Sequence, residues 1–469
     1  MVSFTENINS EPLSGRLFLL LGKDSSSAPA TQFGWNGGPL LFAADVNAWK
    51  PGETYIFHKR PMAYPTDFDS LESGRYVAQM VLNFNDTAWD FLTAPGNAWS
   101  QPQIIDLRVG DDSQEIIVKL DQAVPRQDFP EVPNIEPVSL KSELLSAFHE
   151  QEVHVQAAVI LPEGYAENPR KNYPALYIIP GFGGTHFNAA WYRQQIPSEG
   201  YADKVLVVLN GMNYYGHHVF ADSENTGPHA RALVEEFIPW LAQQYRLINS
   251  PEARLLTGHS SGGWASLWLQ VNYPEFFGGT WSTSPDPVDF RDFSGVNIYE
   301  DTSFFYQNGK GPRPLYRSDG QVLKTIKNFA EMEKVMGHGG QLGSFNAVFS
   351  DRNPVGQPYS LWDGETGKIR PEIARQWEAY DISLLLRSNW PELGPKLKGK
   401  LHIYTGVEDN FYLAGATSLL KSELEALGSD AVVEILPAKD HFNLFDDGLW
   451  PRMLQEMDEH LRQVTEVPQ

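Results

Sequence analysis

The chain has 469 residues, of which 42% are apolar and 20% charged, and its formal net charge at pH 7 is −23. A chain of this length exceeds one ordinary hydrophobic core, so we expect two domains. The negative charge argues against a nucleic-acid or anionic-membrane partner. The sequence has no cysteine, which excludes disulfides, thiolate metal sites and cysteine nucleophiles.

The N-terminal segment MVSFTENINSEPLSG has no basic region followed by an apolar stretch, so no signal peptide is visible. No apolar run approaches the ~20 residues of a membrane span. We therefore expect a soluble protein without a membrane partner. Its compartment stays open between the cytoplasm and, if a leader has been removed, the periplasm or the exterior.

The first quarter of the chain consists of short apolar segments separated by Gly, Pro, Asn and Asp. These segments are GRLFLLLG, PLLFAADV, GETYIFH, GRYVAQMVLNF and QEIIVKL. Short, regularly spaced strands without a helical period are typical of a β-sandwich. Residues 124–138 carry four prolines and are typical of a linker. We therefore expect an immunoglobulin-like β-sandwich domain over residues 1–137, linker included.

From about residue 151 the pattern changes to apolar strands that alternate with helical segments, which indicates an α/β sheet. The predicted strands lie in VHVQAAVILP, YPALYIIP, KVLVVLNG, ARLLTGHS, GGTWSTSP, KLHIYTG and AVVEILPA. The alternation lapses between residues 285 and about 398, a stretch rich in Gly, Pro, Asp and aromatic residues. We therefore predict an α/β domain over residues 138–469 with an insertion at about 285–398.

The segment GHSSG, residues 258–262, fits the pattern G-x-S-x-G around Ser260. The pattern alone is weak, but here a predicted strand precedes it and a predicted helix follows it. That strand–turn–helix setting is the one a nucleophile elbow requires, and the glycines allow the sharp turn. The alternative is a tight strand–helix turn without chemistry.

A serine hydroxyl needs a base, usually a histidine that a carboxylate orients, and the α/β-hydrolase order is Ser, acid, His. Four histidines follow Ser260, and His441 is the one placed between the last predicted strand and the last helix. For the acid we prefer Asp409, in the loop after KLHIYTG. Glu408 is its nearest rival, and Asp440 is a weaker one because it adjoins His441.

Acyl transfer builds negative charge on the carbonyl oxygen, so two N–H donors are expected near Ser260. One is the amide of Ser261, the residue after the nucleophile. The other should come from the glycine-rich segment PGFGG that follows the predicted strand YPALYIIP. Phe182 is the first choice for this second donor and Gly183 the next. The alternative is that the segment is merely a flexible turn.

The second half of the chain resembles the Putative esterase family of α/β-hydrolases, which includes esterase D, feruloyl esterases and enterochelin-esterase-like proteins. The similar segments run from KSELLSAFHEQEVHVQAAVILPEGY through GHSSGGW and GVEDNFYLAGA to AKDHF. The first half resembles the β-sandwich that precedes this domain in a bacterial subgroup. The resemblance implies an α/β-hydrolase fold and hydrolysis of carboxylic esters through an acyl-enzyme. It leaves the substrate open. The oxyanion loop departs from the family's His-Gly form, because Pro180 precedes Gly181.

The segment after KVLVVLNG is rich in polar residues. His217, His218, Asp222 and His229 are metal-ligand types, but their spacing matches no zinc signature, so we expect no metal and no cofactor. We take Asp222, Ser223 and Asn225 as candidate substrate contacts at the mouth of the site. The aromatic residues of the insertion could form a substrate platform, although packing onto the sheet explains them equally well.

The sequence thus predicts a serine ester hydrolase with Ser260 as nucleophile, His441 as base and Asp409 as orienting acid. Its expected substrate is a small-molecule or polysaccharide-linked ester. One alternative is a serine peptidase on the same scaffold. Another is an inactive carbohydrate-binding or interaction protein. The N-terminal domain could bind polysaccharide, hold a lid or mediate a homodimer, and the sequence does not choose among these.

Overall fold

The computed structural model describes residues 1–23, 25–34, 37–57, 61–110, 114–196 and 203–465. The chain divides into two compact units. The first comprises Met1–Asp128, Asn213–Gly216 and Leu323–Gly343, and the second comprises Phe129–Met212, His217–Val322 and Ser344–Gln469.

The N-terminal part of the first unit is built from β-strands. They are β1 (Val2–Phe4), β2 (Leu13–Gly22), β3 (Leu40–Trp49), β4 (Met62–Tyr64), β5 (Gly74–Asn83), β6 (Ala98–Trp99), β7 (Gln103–Leu107), β8 (Val118–Leu120) and β9 (Gln122–Ala123). Within the described residues, seven of them form an antiparallel sheet in the order β4-β3-β2-β5-β6-β9, with β7 also paired to β5. The parallel pair β1–β8 forms a second layer, since Val2 and Phe4 share a buried cluster with Leu17 and Leu82.

The all-β prediction for this region is confirmed, and three of the expected segments form the long strands β2, β3 and β5. The segment GETYIFH contributes an isolated bridge from Tyr55 to Val2 instead of a strand, and His58 lies outside the described residues. Only the end of QEIIVKL is a strand, as β8. The apolar segments of the sequence therefore identified the central strands of the sheet better than its edge strands. At the edges, fewer neighbouring strands enforce a regular backbone.

The remaining strands follow the proline-rich segment. They are β10 (Ile135–Lys141), β11 (His154–Ile160), β12 (Ala175–Ile179), β13 (Val205–Leu209), β14 (Met212–Asn213), β15 (Gly216–His217), β16 (Asp222–Ser223), β17 (Gly227–Pro228), β18 (Arg254–His259), β19 (Gly279–Thr283), β20 (Tyr306–Gln307), β21 (Gly311–Pro312), β22 (Pro314–Ser318), β23 (Gln321–Thr325), β24 (Leu401–Gly406) and β25 (Val432–Leu436).

All the described helices except the first follow the proline-rich segment. They are α1 (Pro29–Gln32), α2 (Glu143–His149), α3 (Ala189–Gln195), α4 (His229–Arg231), α5 (Ile238–Gln244), α6 (Ser261–Asn272), α7 (Ile326–Met336), α8 (Gln341–Phe349), α9 (Pro371–Trp377), α10 (Ile382–Leu397), α11 (Ala414–Ala426) and α12 (Leu449–Thr465). A π-helical segment, Ala232–Phe237, joins α4 to α5. Short 3₁₀ turns occur at Phe68–Ser70, His186–Asn188, Pro251–Ala253, Phe290–Asp292 and Glu378–Tyr380. Among the described helices, none combines the length and apolar character that a membrane crossing requires.

The second unit is organised around a mixed sheet whose strand order, in the described residues, is β10-β11-β13-β12-β18-β19-β24-β25. The strand β11 is antiparallel to both of its neighbours, and the strands from β13 to β25 are parallel. This order, with an antiparallel second strand, is that of the α/β-hydrolase fold. The predicted fold class is therefore confirmed.

The central strands of this sheet are apolar because both faces are covered. Every residue of β12, β13 and β19 is buried. Leu176 and Val208 share one core cluster with Tyr192 of α3 and with Met453 and Met457 of α12. Such strands read as continuous apolar runs in the sequence, which explains why their positions could be predicted.

The boundary expected between residues 137 and 138 falls inside β10, which pairs with β11 from Ile135↔Ile160 to Lys141↔His154. The predicted linker therefore overlaps the first strand of the hydrolase sheet. A proline is tolerated there because β10 is an edge strand. The expected insertion lies between β19 and β24 and contains helices α7 to α10, and part of it, Leu323–Gly343, groups with the first unit.

Replacement of Leu176 by alanine should lower the free energy of unfolding by about 2–5 kcal/mol, because the side chain is fully buried in the sheet core. Urea denaturation followed by tryptophan fluorescence would measure the change. The matched control is Val355→Ala at a site that is 81% exposed, where a change within about 0.5 kcal/mol is expected. Equal effects at the two sites would contradict the described core.

Candidate active site

Ser260 lies at a sharp turn between the end of β18 and the start of α6, with φ 59° and ψ −123°. A serine rarely adopts a positive φ, so the surrounding structure must hold this conformation. Two backbone hydrogen bonds do so: the Ser260 amide donates to Thr283 O (3.0 Å), and the Asp286 amide donates to Ser260 O (3.1 Å). The turn therefore presents one side chain at the carboxyl edge of the sheet, the geometry of a nucleophile elbow.

The glycines around Ser260 allow three backbone segments to meet. A Cβ atom on Gly262 would lie 1.9 Å from Ile179 O at the end of β12, and one on Gly258 would lie 2.1 Å from Gly262 O. Both distances are far inside van der Waals contact with backbone atoms that have no freedom to move. The turn consequently requires glycine at both positions.

Asp409 and His441 come from two different loops that meet at the same sheet edge. Asp409 follows β24, and His441 follows β25. A Cβ on Gly406 would lie 2.2 Å from Lys439 O, so the two loops are in backbone contact. His441 Nδ1 lies 2.7 Å from Asp409 Oδ2, and both side chains are buried. With Nδ1–H donating to the carboxylate, Nε2 of the imidazole is the nitrogen left to act as a base.

The environment of Asp409 favours its ionised form. Burial raises the pKa of this carboxyl, but the adjacent His441 and the hydrogen bonds to the carboxylate together hold the pKa below its ordinary value. The amides of Phe411 and Leu413 donate to Oδ1 at 2.9 and 3.3 Å. The carboxylate thus remains charged beside the imidazole, as an orienting acid requires.

The rival acids occupy other places. The Glu408 side chain is 61% exposed and lies beside Arg317. Asp440 Oδ1 accepts the amides of Phe442 and Asn443 and so closes the turn after its own position. Among the expected acids, Asp409 is the one that the structure brings to His441.

The Ser260 hydroxyl has a buried carboxylate as its hydrogen-bond partner. The His259 ring centroid is 4.4 Å from that of His441, which sets the imidazole next to the elbow. The Ser260 hydroxyl itself donates to Asp286 Oδ1 at 3.5 Å. In the described part of the chain, no hydrogen bond joins Ser260 Oγ to His441. Nucleophile–base bonds are often long in proteins without substrate, and a serine side chain can adopt other rotamers.

Asp286 is a buried carboxylate at the elbow that the sequence interpretation missed. Its Oδ2 accepts the Ser261 hydroxyl at 2.5 Å, and its side chain is only 5% exposed. Asp286 follows β19, the neighbour of β18 in the sheet. The rule that residues after the carboxyl ends of adjacent parallel strands meet at one edge could have identified it.

The glycine-rich loop after β12 contacts the elbow. A Cβ on Gly181 would lie 3.3 Å from Ser260 Cβ. The Gly183 amide donates to Met212 Sδ at 3.4 Å, so this second choice of oxyanion donor already has a partner. Phe182 lies between these two glycines, and Ser261 is the first residue of α6. Of the two preferred donors, Ser261 directly follows Ser260, and Phe182 lies in the loop that contacts the Ser260 turn.

His217, at the end of β15, supports this loop. The Val219 amide donates to His217 Nδ1 (3.0 Å), so Nε2 carries the proton and donates to Pro180 O (3.0 Å). Burial lowers the pKa of His217 to about 4, which keeps the ring neutral near pH 7. The ring fits because position 211 is glycine: a Cβ there would lie 2.5 Å from Nε2.

The three candidate substrate contacts have structural partners. Asp222 Oδ1 accepts the amides of Ala230 and Arg231 at the start of α4. The Ser223 hydroxyl and the Asn225 side-chain amide both donate to Ala347 O. These bonds shape the loop and attach it to the end of α8, and the role of the three residues as substrate contacts stays a prediction.

The histidines of this loop pack against one another. The rings of His218 and His229 stack face to face with 3.6 Å between centroids. Burial lowers the pKa of His229 to about 3 and also lowers that of His218, so both rings are neutral near pH 7. No group of three or more potential metal ligands occurs among the residues that the structure describes.

Aromatic residues of the insertion form a buried cluster. Phe304 stacks on Trp362 with 4.4 Å between centroids, and Phe293 contacts Trp377 at 5.4 Å. All four side chains are buried. The packing interpretation of these aromatics therefore fits the structure better than a substrate platform.

Substitution of Gly262 by alanine should strongly reduce both activity and stability, because the added methyl group would overlap Ile179 O. Overpacking of this kind costs about 1–3 kcal/mol, and relief by backbone movement would displace Ser260. Ester hydrolysis and thermal unfolding measured together would show both effects. Gly364→Ala, where an added Cβ meets no atom within 4 Å, is the control, and an active, stable Gly262→Ala would refute the close packing.

The buried neutral state of His217 predicts a dependence of stability on pH. Between about pH 6.5 and 4 the unfolded chain binds a proton at this ring that the folded chain does not, so stability falls as the pH falls through this window. The variant His217→Gln cannot titrate there, and its Tm should decline less steeply with acidification. Parallel Tm curves for the two proteins would show that His217 does not differ in pKa between the folded and unfolded states.

The family model described as Putative esterase matches residues 147–397, more than half of the chain. This span includes Ser260 and ends before Asp409. None of the curated proteins compared with the chain matches it significantly.

Similar solved structures include a ferulic acid esterase, with 12% identity over 69% of this chain and 97% of that one and a TM-score of 0.44. An S-formylglutathione hydrolase from Agrobacterium tumefaciens has 16% identity over 70% and 93% of the two chains and a TM-score of 0.41. Because the identities and the TM-scores are this low, the structural similarity supports no statement about function. The family match shows that the chain belongs to the Putative esterase family and is a carboxylic ester hydrolase.

Proposed function

We propose that the protein hydrolyses carboxylic esters through an acyl-enzyme on Ser260, with His441 as the base and Asp409 as the orienting acid. The observation that carries this proposal is the buried His441–Asp409 hydrogen bond of 2.7 Å beside the strained Ser260 turn. The two side chains come from loops after adjacent strands, and both are buried. Their separation and burial match what nucleophile activation requires.

The reaction begins when the Ser260 hydroxyl turns from Asp286 towards His441 Nε2. His441 takes the proton while Ser260 Oγ attacks the ester carbonyl carbon, and Asp409 stabilises the resulting imidazolium. The tetrahedral intermediate collapses, and His441 returns the proton to the departing alcohol. Water then attacks the acyl-enzyme with His441 again as the base, and the carboxylic acid leaves.

The oxyanion of the tetrahedral intermediate needs donors that are already in place. We assign the Ser261 amide, at the N-terminus of α6, and the Phe182 amide, in the loop that touches the elbow at Gly181. Both donors lie on segments that already contact the Ser260 turn, because glycine at positions 258 and 262 allows these segments to approach closely. His217 fixes the carbonyl of Pro180, two residues before Phe182.

The substrate we propose is an ester of a small molecule or one attached to a polysaccharide. Apolar side chains lie next to the proposed base. Phe442 is largely exposed and its ring centroid is 5.4 Å from that of His441, and the half-buried Phe411 ring has its centroid 4.8 Å from that of His441. Apolar surface at this point suits the acyl or alcohol group of an ester.

The proposal predicts that wild type hydrolyses p-nitrophenyl or feruloyl esters and forms a fluorophosphonate adduct, visible by intact-mass spectrometry. Ser260→Ala should do neither, and Asp409→Asn should lower kcat by roughly 10³- to 10⁴-fold, since the imidazole loses its orienting charge. Amides with matched acyl groups belong in the same panel.

Glu408→Gln is the matched control, because this neighbouring carboxylate is exposed and the carboxylate bonded to His441 is that of Asp409. It should retain nearly full activity. Turnover by Ser260→Ala, or an adduct on another residue, would disprove the assignment of the nucleophile. Hydrolysis of the amides without the esters would replace the esterase by a peptidase.

A further inference from the structure

A strand of the insertion lies against the loop that carries Asp409. This strand is β22, and its residue Arg317 forms two hydrogen bonds with Asn410 of the loop. The Arg317 backbone amide donates to Asn410 O (3.0 Å), and the Asn410 side-chain amide donates to Arg317 O (2.8 Å). The same loop contains the acid of the proposed triad. The insertion is thus in direct contact with the polypeptide that presents Asp409.

The guanidinium of Arg317 extends this contact to the carbonyls on either side of Glu408. Its Nε donates to Asp409 O at 3.1 Å, and an Nη donates to Val407 O at 3.3 Å. A guanidinium holds its donors in a rigid plane, so it can bind two carbonyls at once and fix their separation. A lysine ammonium in the same place would lack this fixed geometry.

The loop needs such support because its backbone is strained. Tyr412 has a φ of 63°, in the left-handed region that a tyrosine rarely occupies. The Arg317 guanidinium also lies over the Tyr412 ring, with 4.7 Å from Cζ to the ring centroid. Residues in such conformations persist only where the surroundings hold them. Arg317 therefore contacts the loop on both sides of the acid.

The network also reaches the base. Asn410 Oδ1 accepts the His441 amide at 3.0 Å, while the amide group of the same side chain donates to Arg317 O. One asparagine side chain thus connects β22 of the insertion to the backbone of His441. Arg317 and Asn410 together restrain both members of the His441–Asp409 pair without touching their reacting atoms.

We propose that Arg317 is a positioning residue for catalysis, which holds the loop of Asp409 so that its carboxylate stays aligned with His441. The inference rests on the proposed function, since it assigns a role through the proposed acid. It makes the insertion a structural part of the catalytic apparatus, in addition to any cover it gives to the substrate.

The first test compares wild type with Arg317→Met and Arg317→Lys on a p-nitrophenyl ester. Arg317→Met should lower kcat by about 10- to 100-fold, because misplacement of a catalytic group by about 1 Å has effects of that size. The KM should change by no more than about twofold, since the side chain acts on the acid and not on bound ester. Arg317→Lys should recover part of the loss.

The matched control is Arg370→Met. Arg370 also binds a backbone carbonyl, that of Ser360, and lies near Asp363, and both contacts stay within the insertion. Its replacement should leave kcat close to that of wild type. Thermal unfolding of all variants separates a loss of alignment from a loss of folded protein.

A double-mutant cycle with Asp409→Asn decides whether Arg317 acts through the acid. The rate of fluorophosphonate labelling of Ser260 is measured for each single variant and for the double variant. If Arg317 works through Asp409, the double variant should react no more slowly than Asp409→Asn alone. A merely structural role would make the two losses multiply, and that result would overturn the inference.

The remaining outcomes are also decisive. If Arg317→Met does not fold, Arg317→Lys carries the test, and full kcat in a folded Arg317→Lys contradicts the need for the guanidinium. If Ser260→Ala or Asp409→Asn is fully active, the proposed function fails, whatever Arg317 does. If those two variants are impaired as expected while Arg317→Met keeps wild-type kcat, only the positioning role is lost.

Discussion

The close approach of three backbone segments at Ser260 is the constraint on which the site depends. The end of β12, the end of β18 and the first turn of α6 come so near one another that neither Gly258 nor Gly262 has room for a methyl group. This packing forces a positive φ on Ser260 and lifts its side chain out of the sheet edge. The same packing brings the loop of Gly181 to the nucleophile. One steric requirement therefore sets the position of both the proposed nucleophile and the segment that we assign to the oxyanion.

Charge at the site is distributed between two buried carboxylates with different partners. Asp409 is bound to the imidazole of His441, and Asp286 is bound to the hydroxyl of Ser261 and, more weakly, to that of Ser260. The proposed nucleophile, Ser260, therefore has Asp286 as its hydrogen-bond partner. Because the serine side chain rotates easily, a bound substrate can determine whether its hydroxyl bonds to Asp286 or to His441. The neutral, buried ring of His217 adds a fixed donor to the neighbouring loop without adding charge.

The fold was largely predictable because its strongest determinants are local and periodic. The buried parallel strands appear as uninterrupted apolar runs, and the elbow has its glycines at a set spacing around Ser260. The preference for Asp409 over Glu408 came from the expected place of the acid loop, and the structure brings Asp409 to His441. The edge strand β10 was missed, since its proline and polar residues resemble a linker. Asp222, Ser223 and Asn225 stay predicted substrate contacts, and each also bonds within the protein. Polar side chains that bind substrate and those that bind backbone look alike in a sequence.

By itself the sequence determined the order of strands and helices, the place of the sharp turn and the chemical types available near it. These properties follow from side-chain size, apolar periodicity and backbone freedom, all of which depend on residues that are close together in the sequence. Only the tertiary structure decided which distant groups meet. Asp286 contacts Ser261 because β18 and β19 are adjacent in the sheet, and Arg317 contacts the loop of Asp409 because β22 lies against it. Such contacts depend on how separate segments pack in space, and no local pattern in the chain records that arrangement.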